Sequence, residues 1–170
     1  MNNTPIYNNT VQYAVEHNEL EEYRASFKAN MECKTAITDA LAKHYKDNCI
    51  DTKSALKELI NEFSLERIAV IIAVTVREQE WDGRISAENK EWAKSVPFIK
   101  DIDDWGVDRN AAFRISSTHP GIINLFANTL REELEKTKAE IIKKPSLIDK
   151  IAKPLPQNSL STPKAKEQVI

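Results

Sequence analysis

The chain has 170 residues, 41% of them hydrophobic, enough for one domain with a real core and a tail besides. Charged residues make up 29% but nearly cancel at net −2, a solvated-surface signature and not a nucleic-acid footprint. Three glycines and widely spaced turn signals exclude an all-β sandwich or barrel, and two cysteines without metal-ligand spacing exclude a disulfide scaffold or a zinc cluster.

Charge is unevenly placed. From Lys136 onward there are eight lysines and three acidic residues, so the last part carries +5 and residues 1–135 carry −7. An acidic body suits a partner with a basic groove, and it also serves solubility alone. The opening MNNTPIYNN has neither the basic nor the apolar part of a signal peptide, and no stretch reaches about 18 apolar residues. A cytoplasmic protein without a membrane span is expected.

Residues 1–9 are polar and are expected to be a loose lead to a helical domain over 10–142. Thr10 to His17 forms a short helix, stopped at Asn18. Glu19 to Asp47 reads as one long helix with the stripe Leu20, Tyr23, Phe27, Asn30, Cys33, Ile37, Leu41 and His44, at spacings of three and four. Ser26, Asn30 and Cys33 break that apolar seam. A buried amide must be hydrogen-bonded, so they form either a pocket wall or a satisfied core network that sets helix register. Asp51 or Thr52 then caps a helix with Leu56, Leu59, Ile60 and Phe63 on one face.

The central element is predicted over 64–79. Leu65, Ile68, Ala69, Ile72 and Val76 fall at helical spacing, and Val70, Ile71, Ala73 and Val74 fill the sides, as in a buried helix. Ser64 is a good N-cap and Glu66 favours the first turn. Trp81-Asp82-Gly83-Arg84 is a turn signal. Ser86 caps a short helix whose inner stripe is Ile85, Asn89, Trp92 and Val96. Trp81, Asp82, Arg84, Asn89 and Trp92 either line one recognition surface or anchor a helical corner, with Asp82 and Arg84 tying the turn.

Residues 95–104 suit an extended connector or a short edge strand, punctuated by Trp105-Gly106. Asp101, Asp103 and Asp104 lack the alternating oxygen ligands, the Gly and the distal Glu of a calcium loop, so a solvated acidic surface is expected and no metal. Asp108 caps a helical turn through Arg114. Pro120 fits the first position of a helix over 120–141, with Ile123, Phe126, Leu130 and Leu134 inward. His119 at its start suits a neutral acid–base group, but no nucleophile or metal pair points to it. From Lys143 to the end, prolines 145, 154, 156 and 163 rule out a persistent packed element, and the basic segment 143–170 is expected to be disordered. Leu147, Ile148, Ile151 and Leu155 suit one amphipathic turn that docks on the body or on a partner. There is no phosphate-binding or dinucleotide-binding glycine motif and no repeat, so no cofactor is expected.

Tyr13-Ala14, Tyr23-Arg24-Ala25-Ser26, Asn30, Cys33, the WDGR of 81–84, the NKEWA of 89–93 and the STHPG of 117–121 together resemble an uncharacterised domain family. That family is carried on conjugative elements and phages of Gram-positive bacteria, and the resemblance covers about residues 10–140. It implies no catalytic residue. It does imply a genomic neighbourhood in which small accessory proteins protect the element from host restriction or CRISPR nucleases.

The expectation is a compact all-α bundle of five or six helices around the buried 64–79 helix, covered by the helices 19–47 and 120–141. The leading functional expectation is a non-enzymatic inhibitor that contacts a host defence nuclease through its acidic body, with direct nucleic-acid binding disfavoured. The alternative is a small-molecule or nucleotide-handling protein, possibly an enzyme, whose pocket combines Trp81, Trp92, Arg84, Arg114 and His119.

Overall fold

The computed structural model describes residues 4–143. Six α-helices run in chain order: α1 (Val11–Glu16), α2 (Leu20–Lys43), α3 (Thr52–Leu59), α4 (Leu65–Glu78), α5 (Ala87–Ser95) and α6 (Pro120–Lys143). A two-stranded ladder, β1 (Tyr45–Lys46) and β2 (Cys49–Ile50), lies between α2 and α3, and a 3-10 turn at Arg109–Phe113 precedes α6. The all-α bundle expected from helical spacing is the observed architecture. The tail from 144 onward, with the Leu147–Leu155 face, lies outside the described residues.

α4 is the axis of the bundle. Ser64 accepts a hydrogen bond from the backbone N–H of Arg67 at its start, and every residue from Arg67 to Val76 is buried. Such all-round burial is possible only because α2, α5, α6 and the 3-10 turn all pack against it. Thr75 is the one hydroxyl in this wall. It donates to the carbonyl of Ile71 at 2.8 Å and accepts from the backbone N–H of Ile115 at 3.0 Å, which docks the segment leaving the 3-10 turn on α4.

Two local differences from the sequence expectation, at the end of α2 and in residues 4–9, have physical causes. α2 stops at Lys43 and not at Asp47, because residues 45–50 turn back as an antiparallel ladder pairing Tyr45 with Ile50 and Lys46 with Cys49. Its loop residues Asp47 and Asn48 have φ of 50° and 60°, the left-handed pair that suits the twist of a tight hairpin. Of the two readings for the stretch after α5, the connector is the one that forms: residues 96–101 have no regular structure, and 99–108 is a loop with an isolated antiparallel bridge between Ile102 and Asp108. Residues 4–9, polar and expected loose, lie along the body. The Tyr7 hydroxyl donates to Glu19 at 2.8 Å, its N–H donates to Ser26 Oγ at 2.9 Å, and Asn8 Oδ1 accepts the N–H of Ile99 at 3.1 Å.

The polar break in α2 is a core network organised by an arginine of α4. Arg67 is 1% exposed, and its guanidinium donates to Asn30 Oδ1, to the carbonyl of Ser26 at 3.3 Å and to the carbonyl of Thr4. One side chain therefore joins α4, α2 and the N-terminal strap. Burial pushes its proton affinity down from the usual arginine value, and the oxygens replace the lost water. The neighbouring Cys33 thiol is pushed up to about 12 by burial, so it is not a nucleophile at neutral pH. Arg77 repeats the device at the other end of α4. Its three donors reach the carbonyls of Ala93 (2.8 Å), Phe98 (3.1 Å) and Val96 (2.6 Å), fixing the connector after α5.

Replacing Asn30 by Leu strips a charged donor of a buried acceptor and is expected to destabilise the fold by about 2–3 kcal/mol in urea unfolding. Pairing it with Arg67→Met is expected to cost less than the sum of the two single changes. Strict additivity would contradict a shared network.

Candidate functional site

The WDGR turn closes on itself. Asp82 is buried, and its Oδ1 accepts from the backbone N–H of Arg84 and from Arg84 Nε, both at 2.9 Å, while Oδ2 accepts from Arg84 Nη2 at 2.6 Å. This two-pronged pairing two residues apart holds the Asp82 carboxyl down at about 2. Arg84 then reaches across to the start of α6, where its Nη1 lies 3.0 Å from His119 Nε2. The other ring nitrogen, Nδ1, accepts the N–H of Gly121 at 3.0 Å. A neutral imidazole has one lone pair and so can accept from only one of these two donors. The ring lies close to Gly121, where a Cβ would stand 3.1 Å from Nδ1, so a larger residue would need the imidazole to give by a few tenths of an ångström. The two sequence words WDGR and STHPG thus meet through Arg84 and His119.

Asn89, from the NKEWA word, is fully buried and satisfied. Its Nδ2 donates to the carbonyl of Asn124 (3.1 Å), to Asn124 Oδ1 (2.8 Å) and to Asn128 Oδ1 (2.8 Å), and its Oδ1 accepts from Arg131 Nη1 at 2.9 Å. It fastens α5 to α6. The remaining expected residues do not converge on one pocket. Trp92 is half-buried in a groove with Ile6, Val70 and Leu134, while His119 borders a separate depression with Tyr45, Cys49 and Leu125. Trp81 stands 82% exposed, and Arg114 is exposed at the end of the 3-10 turn.

The acidic trio needs correction. Asp101 is 1% exposed, so it is a core residue and not part of an acidic surface. Its carboxylate accepts from the Tyr23 hydroxyl (2.9 Å), the backbone N–H of Val11 (3.3 Å) and Arg109 Nη1 (3.2 Å), which ties α1 and α2 to the 99–109 loop. The same contact, with burial foremost, pushes the Tyr23 phenol up to about 12. Asp103 caps its own loop, its Oδ1 accepting the N–H groups of Trp105 and Val107, each at 2.9 Å. Asp104 remains exposed. Among the described residues no three His, Cys, Asp or Glu side chains gather to hold a metal ion.

What this loop displays was missed in the sequence. Trp105 is 90% exposed, and Ile102 and Val107 beside it are also exposed. The backbone beneath them is fixed. Asp103 N–H donates to Val107 O at 2.9 Å, Gly106 N–H donates to Asp103 O at 3.0 Å, and Gly106 takes a φ of 77° that other residues rarely adopt. Asp108 Oδ1 and the Asp101 carbonyl close the base through Asp101 N–H and Arg109 N–H. The signal that could have found it is an Asp two residues before a Trp-Gly pair, a side-chain-capped turn that forces the intervening aromatic outward.

The depressed Asp82 carboxyl gives a pH expectation. A folded-state value near 2, below the usual carboxylate value of about 3.9, means a contribution present above pH 4 and lost as pH falls towards 2. Asp82→Asn is expected to be less stable than the native chain at pH 6, with the gap closing between pH 4 and pH 2. A gap that persists unchanged at pH 2 would contradict a stabilising carboxylate.

Residues 6–135 match a family model described as Protein of unknown function (DUF3849). No curated protein and no solved structure matches the chain.

Proposed function

The chain belongs to the DUF3849 family of proteins of unknown function, and on that footing we propose that it is a binding protein that acts by contact with another protein through the Trp105 turn. In its finer form the proposal is that the partner is a host enzyme directed at nucleic acid, of the CRISPR or restriction type, which this protein inhibits without chemistry of its own.

The observation that carries the proposal is the Trp105 loop. An indole left 90% exposed costs solubility, and here it stands on a turn held by paired backbone and side-chain hydrogen bonds. A rigid aromatic loses little conformational entropy on docking, and such anchors dominate interface energetics. Ile102 and Val107 extend the apolar contact, and exposed Asp104 favours a socket with a basic rim. The net −7 of residues 1–135 suits the basic channel in which a nuclease holds nucleic acid, and it disfavours direct nucleic-acid binding by the body. The resemblance to a mobile-element family supports the finer form. A nucleotide pocket has less support, since Trp92 and His119 border separate depressions.

The test is a nuclease-protection assay with the purified chain against a panel of RNA-guided and restriction nucleases. Protection is expected for at least one of them, weakening as salt rises. Trp105→Ala is expected to lower the potency by about 30-fold or more while its helical signal and melting temperature stay unchanged. Absence of protection throughout the panel would remove the finer form, and an undiminished Trp105→Ala would remove the contact itself.

A further inference from the structure

Away from the Trp105 turn, a groove of about 440 Å³ lies between the N-terminal strap, α4, the end of α5 and the second half of α6. That volume falls within the range of small-molecule sites, about 300–1,000 Å³. Its walls are mainly apolar, built from Ile6, Ala69, Val70, Trp92, Val96 and Leu134. One cation, Arg131, is half-buried among them. No carboxylate of the described residues lies within ion-pair distance of it. Its Nη1 is instead held at 2.9 Å by the Oδ1 of Asn89, and Asn89 is itself locked by Asn124 and Asn128.

We propose that this groove binds a small monocarboxylate with a flat apolar body, the body lying against Trp92 and the carboxylate meeting the free edge of Arg131. A guanidinium fixed at one nitrogen keeps its other donors in a planar fork, which matches a carboxylate in two-point contact. The fixing side chain bears no charge, so the cation is oriented without being neutralised. Trp92 offers a large face at low entropy cost. The exposed lining residues narrow the class further. Glu66 and Glu135 are exposed residues of the lining, and among the described residues only Glu135 has an ion-pair partner, Lys138 at 3.9 Å. Carboxylates on the lining oppose a doubly charged phosphate more than a single carboxylate, so a nucleotide is disfavoured here.

The test is titration calorimetry on the full chain with 3-phenylpropionate, its neutral amide and phenyl phosphate. One-to-one binding of the carboxylate is expected, at least tenfold tighter than that of either analogue. In the unmodified protein, the indole N–H resonance of Trp92 is expected to shift on binding while those of Trp81 and Trp105 stay in place. Arg131→Gln is expected to erase the preference for carboxylate over amide and to leave weak amide binding intact, which a merely structural role would not do. Equal affinity for acid and amide would overturn the proposal, as would a Trp92 resonance that does not move. Shifts at Trp92 that follow protein concentration and ignore the ligands would assign the groove to a second copy and overturn it as well.

Discussion

The structure depends on a buried guanidinium held by neutral oxygens. A fully desolvated arginine is ordinarily costly, and among the described residues the hydrogen-bond acceptors of Arg67 are carbonyl and amide oxygens and not carboxylates. Its cost is offset by carbonyl and amide dipoles drawn from two other segments, and each is useful only where the fold places it. Slide α2 by one residue against α4, and Asn30 Oδ1 no longer faces the charge. Release the strap, and the Thr4 carbonyl is lost. The network is satisfied in this register of α2 against α4, and fixing register is the role best attested for buried polar groups. The consequences run outward. A fixed strap supplies Ile6 to the groove wall, and its Asn8 holds Ile99, the residue from which the Trp105 loop departs.

Much of the architecture was legible because burial writes periodicity into sequence. The 64–79 helix announced itself through an apolar run with a serine cap, and the stripe of α2 located its inner face down to Asn30. The partner of Asn30 was not legible. Arg67 lies next to Glu66 at the start of an apolar run, where a charge normally marks a solvated helix end. Only the tertiary arrangement shows that it points inward. The hairpin after α2 was hidden for a related reason, since helical spacing runs on to His44 and Asp47-Asn48 is a weaker turn word than one containing glycine. Arg77 and Asp101 repeat the lesson, because a charged residue that ends up capping carbonyls or N–H groups looks in sequence like a surface residue.

The candidate site divided along the same line. Asp82, Arg84 and His119 do meet, but as a closed polar clasp between a turn and a helix start. Asn89 is a fastener of α5 to α6, and its visible by-product is an oriented Arg131. The acidic stretch 101–104, attractive as a surface, spends Asp101 on the core and Asp103 on its own turn. The turn then lifts Trp105 into solvent. Polar residues here build the scaffolds, and the groups on display are an aromatic and an arginine. Hydrophobic patterning alone does not reveal either, since a lone tryptophan beside acids and a lone arginine on an amphipathic helix are ordinary surface composition.

Trp105 is exposed on a rigid turn and not on a slack loop. Residue-resolved amide hydrogen exchange on the full chain tests that rigidity most directly. The N–H groups of Trp105 and Val107, both bonded to Asp103 Oδ1, and that of Gly106 should exchange markedly more slowly than unstructured peptide. Asp103→Ala should release the first two while the amides of α4 stay protected. Exchange at the unstructured rate in the native chain would contradict a preorganised anchor.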